Sequence, residues 1–472
     1  MLYKATIGLE IHAELCTSQK LFCACPVSAS APANTACCPV CLGYPGAMPV
    51  LNREAVEKAL LLGTALGCHI HRTSSFDRKN YFYPDNPTAY QITQYTHPIC
   101  TGGQLVVETE DGTHSVLLER IHIEQDAAKL LHRPGETRID YNRCGVPLLE
   151  IVTQPSMHTP QEAAAFLQAL REILLYLKIC DGKMQQGSLR CDANVSISAS
   201  EHLGTVVELK NINSIRFLKK ALQYEIERQQ ALAEQGIEIL KETRRYNEKT
   251  ETTEHMRRKE SAVDYRYCPE PDLGVLQLTQ TDIHLAACAV PRLPAQIRSY
   301  YRACGLSAIE AAELTRYPAV SAFAEAAIEA GAQAKLCCDF IRQSLFVRLG
   351  ADEWDAVVLA DPQDMVTLCH LTEQGLLSRK NAQRLASLLF AGEKDARRLA
   401  QTHGLLTIQD EETLQKAVQA VFREQPGLLA SCRAGEKGAR SRALGLVLRA
   451  TGQRGDPLRL RTWIDYYADK EE

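Results

Sequence analysis

Residues 5–15, ATIGLEIHAEL, alternate strictly between two kinds of position. Ile7, Leu9, Ile11, Ala13 and Leu15 point one way; Gly8, Glu10, His12 and Glu14 point the other. A period of two belongs to a strand with one buried face, not to a helix, whose period is ~3.6. Two further segments repeat the pattern. In RIHIEQD, Ile121 and Ile123 oppose His122, Glu124 and Asp126. In SLRCDANVSIS, Leu189, Cys191, Ala193, Val195 and Ile197 oppose Arg190, Asp192, Asn194 and Ser196. VPLLEIV is nearly all apolar, as a central strand would be, and Glu150 is its one charge. A helix is expected over 160–178, with Thr159 as N-cap, Pro160 in the first turn and Glu162 completing a capping box.

If these strands share a sheet, Glu10, His12, Glu124, Asp126 and Glu150 converge on one face. Carboxylates at short range raise one another's pKa unless a cation lies among them. Magnesium suits such a set, because it takes oxygen ligands and bridges carboxylates to phosphates. For Glu10 and His12 the competing reading is the solvated side of an antiparallel sheet. Glu150 is different: a lone carboxylate in an apolar strand is costly to bury without a partner. Arg143 is a nearby candidate for that partner.

Basic residues supply the complementary chemistry. Arg78 and Lys79 lie in the aromatic stretch FDRKNYFYPDNPTAYQITQY. Such a mixture suits stacking on a base with a cation on phosphate, or else a packed aromatic turn. Arg190, Asp192 and Asn194 can jointly hold phosphate and magnesium. Lys210 adds a cation, as do Arg257, Arg258, Lys259 and Arg266.

Of 18 cysteines, Cys16, Cys23, Cys25, Cys37, Cys38 and Cys41 crowd the first 41 residues. Cys23, Cys25, Cys38 and Cys41 form C-x-C-x12-C-x-x-C, the spacing of a closed tetrahedral zinc site. Reduced thiols are the alternative, and Cys37 leaves the ligand set ambiguous. Isolated later cysteines, such as Cys288 and Cys304, read as small buried hydrophobes.

The 472 residues are ample for two to four domains. The Pro-rich AVPRLPAQ marks a first boundary and HGLLTIQD a weaker second. The expected domains are 1–290, mixed in character; 291–405, helical and Ala/Leu-rich; and 406–472, helical and more basic. A net charge of -4 means that any nucleic-acid binding must come from local patches. The last domain offers one, with Arg433, Lys437, Arg440, Arg442, Arg449, Arg454, Arg459 and Arg461 against Glu436 and Asp456. No apolar run approaches the ~18 residues of a membrane span. The start, MLYKATIGLEIH, has no signal-peptide pattern, so a cytoplasmic protein without a membrane partner is expected.

The segments IGLEIHAEL, FDRKNYFYPD, IHIEQDAAK, IDYNRCGVPLLEIVTQPS, GSLRCDANVSIS, LKNINSIRF and DYRYCPEPDL resemble, in order, motifs of the GatB family. Its members are the B subunits of the tRNA-dependent aspartyl/glutamyl amidotransferases. The resemblance implies an α+β fold: a glutamine-synthetase-like catalytic domain on a twisted, largely antiparallel sheet, followed by two all-α C-terminal domains. It implies a carbon–nitrogen ligase that uses ATP and magnesium to phosphorylate the side-chain carboxylate of mischarged Glu-tRNA(Gln) or Asp-tRNA(Asn). Ammonia would come from glutamine through a partner amidase, the A subunit of the complex. A small third chain, the C subunit, would make the assembly a heterotrimer. The helical domains would hold tRNA.

Residue by residue, the resemblance places magnesium on His12, Glu124 and Glu150, with Glu10 beside them. Glu124, Glu10, Lys79 and Arg190 would serve catalysis. Lys79, Arg190, Asp192, Asn194 and Lys210 would line the ATP pocket. Cys23, Cys25, Cys38 and Cys41 would hold structural zinc. A stand-alone ligase on a free amino acid needs no basic helical tail. A scaffold without catalysis needs no Glu10, His12, Glu124 and Glu150.

Overall fold

The computed structural model describes residues 3–28, 30–200, 202–258, 265–348 and 359–470. Lys259, one of the candidate cations, lies outside the described residues, and of Arg257 and Arg258 only the backbone is described. The chain forms two compact units, Met1–Pro294 and Ala295–Glu472.

A ten-stranded sheet organises the first unit. At its middle lies the strand Lys4–Glu14. It pairs antiparallel with Pro147–Thr153 on one side and with Leu189–Ser198 on the other. Pro147–Thr153 pairs antiparallel in turn with Gly112–Gln125. The one parallel pairing among the described strands of the sheet joins Val207–Ile212 to Glu242–Asn247.

The alternation of the sequence becomes two chemically different faces. Ile7, Leu9, Ile11 and Ala13 are buried, and so are Ile121, Ile123, Leu149, Ile151, Leu189 and Ala193 from the neighbouring strands. The helices Arg53–Ala65, Pro160–Tyr176 and Ile215–Glu234 share this one apolar core. Glu10, His12 and Glu14 are half-buried on the opposite face. Thr159 caps its helix as expected, its hydroxyl accepting from the backbone N–H of Glu162 at 3.1 Å. The Glu162 carboxylate reaches one residue further back than in a capping box and accepts from the N–H of His158 at 3.0 Å.

Among its described residues the second unit is helical, apart from one isolated bridge between Leu377 and Leu406. Residues 414–468 have a core of their own, with Leu414, Val418, Val447, Leu460 and Ile464 at its centre. Cys337, Cys369 and Cys432 are buried as small apolar residues, whereas Cys288 is exposed and Cys304 only half-buried, contrary to expectation. The helix Gln280–Ala289, which carries Cys288, buries none of its residues fully. No described helix is long and apolar enough to cross a membrane. The architecture is therefore α+β, a largely antiparallel sheet domain followed by helices.

Candidate active site

Strand register turns the polar face into an ordered array. His12 lies opposite Glu150 on one neighbour and opposite Arg190 on the other. Glu150 lies opposite His122 on the next strand out. Side chains of one row thus come from four adjacent strands. The next two rows along that strand set Glu10 opposite Asp192 and Gly8 opposite Asn194.

Two carboxylates meet one imidazole at the centre. His12 Nε2 lies 3.4 Å from Glu124 Oε1 and 3.4 Å from Glu150 Oε2. His122 Nε2 closes the group at 3.2 Å from Glu150 Oε2 and 3.9 Å from Glu124 Oε2. Thr93 Oγ1 donates to Glu124 Oε2 at 3.3 Å. Burial opposes charge on His12, but the hydrogen bond to Glu150 and the charges of Glu150 and Glu124 win, so its pKa is pushed up to about 9. Burial likewise opposes charge on Glu150, yet the His122 and His12 imidazoles hold it well below the usual carboxylate range. The two carboxylates need positive charge between them. A proton on His12 supplies one unit; a divalent cation on the same three groups supplies two. The ligating atoms of His12, Glu124 and Glu150 all lie within 4.8 Å of one another, so these residues can hold such an ion.

The remaining sequence-predicted residues flank this centre on the same face. Asn194 Nδ2 donates to Glu10 Oε1 at 2.9 Å. Burial, and then the charge of Glu150, raises the Glu10 carboxyl. Lys210 pairs with Asp192 and lies 3.4 Å from Glu208. Arg190 Nη2 donates to Asp126 Oδ2 at 2.8 Å.

Two expectations about the site are corrected. Arg143 is not the partner of Glu150; it lies 3.3 Å from Asp126 and donates to the carbonyls of Ala127 and Ala128. Arg78 is not free for phosphate. Its guanidinium makes two hydrogen bonds to Glu270, at 2.7 and 2.9 Å, and stacks 4.2 Å from the Tyr90 ring. The cause is the short strand Cys268–Pro269, which pairs with Asp77–Asn80 and delivers Glu270 to Arg78. Lys79, the alternate neighbour, instead lines a cavity with Glu124 and Glu150. His122 is the residue that sequence reasoning left without a role. Its face was legible from alternation, but its place opposite Glu150 depends on the register of two distant strands.

The cysteines form a second cluster. The sulfurs of Cys23, Cys25, Cys38 and Cys41 lie within 4.8 Å of one another. A zinc tetrahedron with ~2.3 Å bonds places sulfurs roughly 3.8 Å apart, so the four fit one ion after small shifts. Cys37 stands outside the set, its thiol facing Asn142 Oδ1 at 3.6 Å. A hydrogen bond from Cys23 draws Cys41 down to about 4, and the same contact raises Cys23. Lys20 is fully buried beside them. Its Nζ donates to Cys41 Sγ at 3.5 Å and to the Tyr141 carbonyl at 3.3 Å. Gly43, just past Cys41, has φ +68°, and a Cβ there would come within 2.9 Å of Thr88, so the turn that closes the cluster requires glycine.

Residues 5–284 match the family described as GatB/GatE catalytic domain, and residues 322–465 match the GatB domain. A Brevibacillus brevis protein, named as the B subunit of an aspartyl/glutamyl-tRNA(Asn/Gln) amidotransferase, is 39% identical over 464 residues, which is 96% of each chain. The chain belongs to the GatB family. Similar GatB relatives of the same name occur in Thermodesulfovibrio yellowstonii, 40% identical over 97% of each chain, and in Gloeothece citriformis, 41% identical over 96% of this chain and 95% of the other. Both residue clusters of this GatB chain lie inside the catalytic-domain match, and the GatB-domain match lies inside the helical unit.

Proposed function

We propose that the chain is the component of a tRNA-dependent amidotransferase that activates the side-chain carboxylate of Glu-tRNA(Gln) or Asp-tRNA(Asn) with ATP. The observation that carries this reading is the meeting of Glu124, Glu150 and His12 across three neighbouring strands. A carboxylate oxygen of the substrate bonds to the γ-phosphorus as the bond to ADP breaks. Ammonia then bonds to the acyl carbon, the bond to phosphate breaks, and the nitrogen loses a proton. Glu124 is assigned that proton. Magnesium held by His12, Glu124 and Glu150 would supply charge neutralisation of the phosphoryl oxygens. Glu10 stands beside them, and Lys79, Arg190, Asp192, Asn194 and Lys210 face the nucleotide.

The chain carries no Ser-rich amidase signature, so ammonia comes from a partner glutaminase, the A subunit of the complex. A small third chain, the C subunit, makes the assembly a heterotrimer. We place the complex in the cytoplasm. We assign tRNA to the helical unit, read as domains 291–405 and 406–472, and the separate core of residues 414–468 supports the latter. Some of the basic excess there is used internally: Arg440 pairs with Asp465 and Asp469, and Arg459 with Glu411. Lys437, Arg442 and Arg461 make no ion pair among the described residues and remain for RNA. Deleting residues beyond 405 is expected to weaken tRNA binding and to flatten its salt dependence in filter-binding titrations.

The cysteine tetrad is assigned a structural zinc. Lys20 supports this, because a buried ammonium is costly without a counter-charge and no carboxylate pairs with it among the described residues. Four thiolates around a dication leave two net negative charges to balance it. Lys20→Met is expected to lower zinc affinity by about 10- to 100-fold in chelator competition.

The activity test combines the purified chain with its amidase and small partner chains, and with each mischarged tRNA. ADP release matching amide formation is expected. Amide formation that proceeds equally without ATP would refute the reading.

A further inference from the structure

The cavity beside the carboxylates is lined by opposite charge as well. Lys79 and Arg120 line it, with Tyr95 and Tyr267, together with Glu124 and Glu150. Arg120 lies on the Gly112–Gln125 strand, on the same face as His122 and Glu124. The Tyr95 and Tyr267 rings stack at 4.0 Å. The Arg120 guanidinium lies 5.7 Å from the centre of the Tyr95 ring, and Lys79 Nζ lies 4.9 Å from that of Tyr265.

These two cations differ from the other candidates near the site. Arg78, Arg143, Arg190 and Lys210 are each taken by a carboxylate. Among the described residues, Lys79 and Arg120 have neither an ion pair nor a hydrogen bond; aromatic rings hold them without neutralising them. The Nε of Arg120 is buried and has no acceptor. A buried donor left without a partner is a standing cost to the fold, so the position suits an acceptor that arrives with a ligand.

Size selects the ligand. The cavity measures about 60 Å³. At ~10–15 Å³ per water it holds roughly four to six waters. That accommodates a phosphoryl group, not a nucleoside, whose pockets begin near ~300 Å³. A planar guanidinium fork also matches the oxygens of a phosphoryl group better than a point charge does.

We propose that Lys79 and Arg120 form an anion subsite that receives the phosphoryl group transferred to the substrate carboxylate, with Tyr95 and Tyr267 fixing the guanidinium. The inference rests on the phosphoryl-transfer reading above. It divides the residues that line the cavity into carboxylates, which would hold the metal, and cations, which would bind the phosphoryl oxygens.

The test uses the assembled amidotransferase carrying Arg120→Met, Arg120→Lys or Lys79→Met. Two quantities are read: kcat for ATP-dependent amidation, and the preference for MgADP–beryllium fluoride, a γ-phosphoryl mimic, over MgADP alone. Arg120→Met and Lys79→Met are each expected to lower kcat by about 100-fold or more and to lose most of that preference. Arg120→Lys should recover part of both. A folded Arg120→Met or Lys79→Met enzyme turning over within about twofold of wild type would overturn the subsite. So would equal weakening of both nucleotide complexes, which would point to the nucleoside or to structure. If Arg120→Met does not fold, Lys79→Met decides by the same two outcomes. A wild-type complex without ATP-dependent amidation overturns the functional reading and the subsite together; an active wild type with unaffected variants overturns the subsite alone.

Discussion

Glu150→Gln is expected to lower kcat for ATP-dependent amidation by roughly 100- to 1000-fold, with little change in the shape of the site. The side chain keeps its volume and loses its charge. That charge faces two imidazoles, at 3.4 Å from His12 and 3.2 Å from His122. Without it, a cation at the centre keeps only one carboxylate, Glu124, so the variant should also require more magnesium for half-maximal activity. The measurement is a magnesium titration of ADP release in the presence of mischarged tRNA. Glu14→Gln is the contrast, since Glu14 lies at the end of the strand that carries His12, outside the cluster, and should leave the titration near that of wild type. Wild-type turnover by Glu150→Gln would sink the metal assignment.

Stripping zinc from the cysteine tetrad should have the largest effect on stability. The ion would close the loop between Cys25 and Cys38. By chain entropy, closing a loop of ~15 residues contributes about 3 kcal/mol. For a unit of 294 residues that corresponds to a fall of roughly 5 °C in Tm. Metal analysis of the reduced protein should find one zinc per chain, and calorimetry with and without chelator should find the shift. Absence of zinc, or a chelator without effect on Tm, would reduce the tetrad to four neighbouring thiols.

The sheet face was legible in the sequence because alternation is a local property. Ile7, Leu9 and Ile11 against Glu10 and His12 require no knowledge of any other strand. Register is not local. That Glu150 faces His12 and His122, and not Arg143, depends on pairings between the first strand and segments far along the chain. The choice between Arg78 and Lys79 was illegible for the same reason: Glu270 and Tyr265, from a distant loop, capture one and flank the other. Local counting also overstated the basic tail, since Asp465, Asp469 and Glu411 fold back onto two of its arginines. Cys37 was ambiguous by spacing; its sulfur lies outside the group of four and faces Asn142, a partner that no local count could supply.

The position of the first strand has a consequence for how the protein is made. Lys4–Glu14 is synthesised long before either of its neighbours, Pro147–Thr153 and Leu189–Ser198. Until both have been synthesised, the strand that carries Glu10 and His12 has two unsatisfied edges and an uncovered apolar face. Pairings of such high sequence separation form slowly and leave edges open to aggregation while they wait. The row of His122, Glu150, His12 and Arg190 therefore cannot exist in a nascent chain that stops short of Ser198, and arrested chains on either side of that length should differ sharply in their resistance to protease.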